Sequence, residues 1–118
     1  MKQYIFLLRV NKTSLSEQET EQRTRQWGLL IRELTLQGKF IAGWVFENDG
    51  YNVYGSPKRI VAESPVCDHN EIMGGVIIIE ADDLNEAIEI SKRCPTINFG
   101  GSVEVRQLQL QHHPDINN

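Results

Sequence analysis

A chain of 118 residues, 40% apolar and 24% charged, has room for one hydrophobic core and the make-up of an ordinary globular domain, which excludes collagen-like, disulfide-scaffold and disordered classes. The formal net charge of -4 at pH 7, with basic residues single or in isolated pairs such as Lys58-Arg59 and Lys92-Arg93, leaves no electrostatic footprint for nucleic acid. The two cysteines, Cys67 and Cys94, lack C-x-x-C spacing and histidine pairs, so they match no structural zinc pattern and read as reduced thiols of a reducing compartment.

After Met1-Lys2 the apolar run Tyr4 to Leu8 stops at Arg9, too short for a signal-peptide core or a membrane span. A cytoplasmic protein without a membrane partner is the expectation. Residues 3 to 10 combine β-branched and aromatic side chains and predict a buried strand. Ser14 followed by Glu17 is a capping-box pattern and predicts a helix start. The helix continues to about Gln37, with Trp27, Leu30, Ile31 and Leu34 on one face and Gly38 supplying the left-handed residue that ends it. Its first half continues the Trp27 line with Thr20, Arg23 and Thr24, either a solvated helix end or the polar wall of a cleft.

Residues 40 to 47 predict a second strand, and Asn48-Asp49-Gly50 a turn after it. Tyr51 to Glu63 reads as a less regular hairpin partner, broken by Gly55-Ser56-Pro57 and placed at a sheet edge because proline cannot donate to a central ladder. Past the polar loop Cys67 to Glu71, the run Gly74 to Ala81 is apolar on both faces and predicts a central strand. Asp82 or Asp83 caps a second helix, with Leu84, Ala87, Ile88, Ile90 and Ser91 at its packing positions and Cys94-Pro95 at its end. A last strand covers about Ser102 to Leu110, with Val103 and Val105 on one side and Glu104 and Arg106 on the other. Trp27 and Trp44 read as core, each lying in an apolar run. Residues 1 to 110 form one domain in this reading, and 111 to 118 a flexible tail.

The order β-α-β-hairpin-β-α-β is that of an α+β, ferredoxin-like split βαβ sandwich with an extra hairpin. Two right-handed crossovers put both helices on one sheet face and leave the other bare. An apolar bare face predicts a homodimer.

Few residues carry candidate chemistry. Asp68 beside His69 joins a carboxylate to an imidazole, as acid-base work requires, or is a solvated turn. Glu104 and Arg106 share a strand face, and Glu80 and Arg9 have the parity to join them. On the side away from the helix-packed Val103 and Val105, the four form either a salt-bridge network or a pocket for a polar or anionic ligand. His112, His113 and Asp115 sit where nothing would preorganise them, so no metal is expected. Nor is any cofactor, since there is no phosphate loop, nucleophile elbow or H-E-x-x-H helix.

The run Gly74-Gly75-Val76-Ile77-Ile78-Ile79-Glu80-Ala81-Asp82-Asp83-Leu84-Asn85-Glu86-Ala87, continued by Arg93-Cys94-Pro95 and Gly100-Gly101-Ser102-Val103-Glu104-Val105-Arg106, resembles the DGPF branch of the YCII-related proteins. Trp27, Leu34, Gly38 and Gly43 extend the likeness over nearly the whole chain. The naming turn is reduced to Glu63-Ser64-Pro65-Val66, which keeps only its proline. The resemblance implies a dimeric α/β barrel, two sheets face to face, with a pocket between sheet and helices in each half. Some relatives are small-molecule enzymes with a histidine-aspartate pair in the N-terminal half; this chain has no histidine before His69. Three functions follow as expectations: a dimeric domain that binds a small ligand or a protein, a cofactor-free enzyme of isomerase, lyase or monooxygenase type, and a purely structural oligomer.

Overall fold

The computed structural model describes residues 1–11, 15–47, 49–64 and 71–109. In chain order they form β1 (Lys2–Asn11), α1 (Glu17–Leu36), β2 (Phe40–Val45), β3 (Gly50–Tyr54), β4 (Ile60–Ser64), β5 (Glu71–Ala81), α2 (Leu84–Ser91), a short 3₁₀ helix (Pro95–Phe99) and β6 (Ser102–Gln107). Four strands make one antiparallel sheet in the order β2-β5-β1-β6. Leaving out the hairpin β3-β4, that is the ferredoxin-like order, with the two most apolar strands inside.

Strand period decides the layers. In β1, Tyr4, Phe6 and Leu8 are buried; in β5, Ile77, Ile79 and Ala81 lie on the same side, and Leu30 and Leu34 of α1 with Ala87 and Ile90 of α2 close over them. Phe40, Val103 and Val105 border this core. Each fully buried Leu, Ile or Phe contributes about 1.5–3 kcal/mol. Ile5 and Leu7, paired with Ile78 and Val76, point the other way, so both helices sit on one face and no described element covers the second.

The glycine pair has a steric reason. Leu8 pairs with Gly75 and Arg9 with Met73, which makes Gly74 the extra residue of a bulge. A Cβ on Gly74 would lie 2.7 Å from Val10 Cγ1, and one on Gly75 would lie 2.4 Å from the Trp44 carbonyl oxygen.

Helix α1 starts two residues later than the Ser14 pattern predicts, and Ser14 itself lies outside the described residues. Ser16-Glu17-Gln18-Glu19 is an equally good box: the Glu19 N–H donates to Ser16 Oγ at 3.1 Å, and the Ser16 N–H donates to Glu19 Oε1 at 3.0 Å. This start keeps Ser16 out of the helix interior, where serine competes for backbone hydrogen bonds. The other end agrees with expectation, Gly38 following the cap at φ +71°. In α2 the cap is Asp83, whose Oδ1 accepts the Glu86 N–H at 2.8 Å. Leu84 and Ile88 are exposed and do not pack as expected, because only about two turns of helix meet the sheet.

The hairpin differs most from expectation. β3 and β4 pair from Gly50 with Ser64 to Tyr54 with Ile60, as a separate two-stranded sheet that adds no strand to the edge of the main one. Tyr51, Val53, Tyr54, Ile60 and Val61 are all exposed.

Trp27 packs on the core but is only partly buried, and Trp44 is 57% exposed, so neither is the core residue its apolar run suggested. Leu34→Ala should therefore cost about 2–5 kcal/mol in urea melts, the range for emptying a buried leucine site. Trp27→Ala should cost less, despite removing the larger side chain. A Trp27→Ala loss equal to that of Leu34→Ala would make Trp27 a core anchor.

Candidate functional site

The uncovered face carries an apolar middle and a charged margin. Ile5, Leu7, Val76 and Ile78 are half-buried at its centre, and the register sets Ala42 and Trp44 beside Ile78 and Val76. On the β6 side, Arg106 stands opposite Ile5 and Glu104 opposite Leu7. Glu104 accepts from both flanking guanidiniums: Arg106 Nε donates to Oε2 at 2.6 Å, and Arg9 Nη1 lies 2.8 Å from Oε1. Period 2 thus brings three of the expected residues together. Arg106 is 70% exposed and spends one donor on Glu104.

Glu80 shares the face but not the cluster. It pairs across β1 with Gln3, and among the described residues its carboxylate makes no ion pair. Asp68 and His69 lie outside the described residues, as do Cys67, His112, His113 and Asp115.

A cleft of about 430 Å³ opens on the opposite, helix-bearing side. Trp27 and Ile31 of α1 form one wall, and Leu8, Phe40, Gly43 and Ile77 belong to the sheet side. Gly74, Gly75, Met73 and Phe46 border it near the bulge. Arg23, Thr24, Thr96 and Glu47 are its polar members, and among the described residues that line it there is no histidine or cysteine. None of Arg9, Glu80, Glu104 and Arg106 borders it. Two readings pointed here: the polar continuation of the α1 stripe at Arg23 and Thr24, and the pocket between sheet and helices that the family resemblance implies.

Two buried groups lie elsewhere. Cys94 is a free thiol that burial pushes up to about 12. The Tyr4 hydroxyl is buried with no hydrogen-bond partner among the described residues, and burial, with Asp83 nearby, raises its pKa. No helix among the described residues is long and apolar enough to cross a membrane.

The hydrogen bonds from Arg106 and then Arg9 hold the Glu104 carboxyl below its ordinary value of 4.5. A carboxyl depressed in the folded state stabilises the fold above its unfolded pKa and loses that contribution as pH falls through the folded pKa. Glu104 should titrate below 4.5 by carboxyl-detected NMR, and Glu104→Gln should flatten the loss of stability below that pH. A Glu104 midpoint at or above 4.5 would mean that the two arginines do not hold the carboxylate.

No curated protein matches the chain. The family model for the YCII-related domain matches residues 3–109, from the first inner strand through the last edge strand. With that match, over a ferredoxin-like sheet whose helices cover one face, the chain belongs to the YCII-related domain family.

Proposed function

We propose that this YCII-related domain works as a homodimer that binds a small molecule in the cleft between α1 and the sheet. The cleft itself carries the reading. Its volume of about 430 Å³ falls in the range of small-ligand sites, roughly 300–1,000 Å³, and its lining of apolar and aromatic side chains with a few polar groups has the usual composition of such sites.

The dimer completes the domain. Ile5, Leu7, Val76 and Ile78, with Trp44 beside them, form an apolar patch on a sheet face that no other described element covers. A two-fold contact presents the same face from each subunit, as in sheets packed about 10 Å apart. The Arg9–Glu104–Arg106 cluster would then lie beside that contact as its charged border. The donors Arg106 does not spend on Glu104 could hold an anionic group from the partner or from a ligand on the barrel side.

Two experiments check the two halves. The neutral fluorophore N-phenyl-1-naphthylamine should bind the native protein saturably, and Ile31→Trp, which puts a larger ring into the cleft, should abolish the signal. Unchanged binding by that variant would place the dye elsewhere. Light scattering at micromolar concentration should give a dimer, whose interface would exceed about 1,200 Å² in total, and Ile78→Asp should give a folded monomer. A wild-type monomer would overturn the dimer.

A further inference from the structure

Among the seven arginines, Arg23 alone joins a place on the cleft lining to the lack of an ion pair among the described residues; Arg25 and Arg32 make none either, but they are exposed and lie off the cleft. Arg9 and Arg106 are engaged by Glu104, Arg93 by Glu33, and Arg59 by the backbone carbonyls of Gly55 and Pro57. Arg23 is half-buried, borders the cleft, and among the described residues makes no ion pair. A guanidinium partly withdrawn from water keeps its planar fork of donors for whatever enters.

The helix arranges the rest. Arg23, Trp27 and Ile31 follow one another at intervals of four residues, so they line one stripe of α1. At 1.5 Å per residue that stripe is about 12 Å long. It begins with a cation, passes an indole and ends in an aliphatic side chain that faces the same cleft as Phe40 and Ile77. The polarity therefore changes along the cleft. Glu47 is the opposing charge on the lining, but it is exposed, and water screens it more than it screens the half-buried Arg23.

We infer that the ligand of this cleft is a monocarboxylate with a medium-length apolar body, its carboxylate held by Arg23 and its body lying along Trp27 and Ile31. The inference rests on the cleft being the ligand site and adds the ligand's chemical class. Thr24, on the next position of the helix and also on the lining, offers a hydroxyl donor to the same head group.

Calorimetric titration with octanoate and with octanamide, which share shape and differ in charge, tests it. The native protein should bind octanoate about tenfold more tightly than octanamide, the margin that a charge-assisted hydrogen bond gives over a neutral one. Arg23→Gln should bring that ratio to about one while leaving octanamide binding within about twofold, and Arg23→Lys should keep part of the preference. The octanamide measurement also shows that each variant retains a folded cleft. Equal binding of both compounds by the native protein, or a preference that survives Arg23→Gln, would overturn the carboxylate assignment and leave the cleft as a site for neutral molecules. Absence of binding by both would overturn the carboxylate assignment and the cleft's role together.

Discussion

The pairing of β1 with β5 is the constraint on which the rest of the molecule depends. The ladder runs from Lys2 with Ala81 to Asn11 with Glu71, and both strands are apolar on both faces. Because side chains alternate, the register from Lys2 to Leu8 decides at once that Tyr4, Phe6, Ile77 and Ile79 meet the helices and that Ile5, Leu7, Val76 and Ile78 do not. A slip of one residue would exchange the two sets. The bulge at Gly74 then changes the local twist where the cleft opens, so an irregularity in this ladder lies at the edge of the candidate site.

The helices are fastened to this pair by contacts that cross the domain. Glu33 of α1 pairs with Arg93 just beyond α2, and Asn98 Nδ2 donates to Gln26 Oε1 at 3.2 Å. Lys39 lies 3.2 Å from Glu86, whose carboxyl is held below its ordinary range by the Asp82 N–H first and Lys39 second. These are surface pairs worth little singly. The Gln26 bond and the Glu33 pair hold α1 at its middle and in its C-terminal half, close to the buried Leu30 and Leu34, while Arg23, Trp27 and Ile31 line the cleft.

Strand parity was legible in the sequence because it is local. Val103 and Val105 against Glu104 and Arg106 could be read from alternation alone, and the triad with Arg9 followed from it. The Ser16 cap was ambiguous, since two overlapping boxes satisfy the same pattern and only the packing of α1 chooses between them. The cleft was legible only through the family resemblance and the polar end of the α1 stripe, because an empty volume is made by what surrounding residues fail to fill. Trp27 has the spacing of a core residue, and only the tertiary arrangement shows that one side of it meets open space. The independence of β3 and β4 was equally hidden: a turn signal predicts that a chain reverses, not which strand it will pair with.

That independent ribbon divides the domain into regions of unequal cooperativity. An isolated two-stranded hairpin is at best marginally stable in water, and residues 50 to 64 share no ladder with the four-stranded sheet. Its hydrogen bonds can therefore open without breaking the β1–β5 core, so the local free energy of opening falls from the global value in β1 and β5 toward zero along the ribbon. The ribbon is also where this chain can take substitutions most freely, since changes there leave the core untouched and act only through what the exposed Tyr51, Val53 and Tyr54 meet outside it.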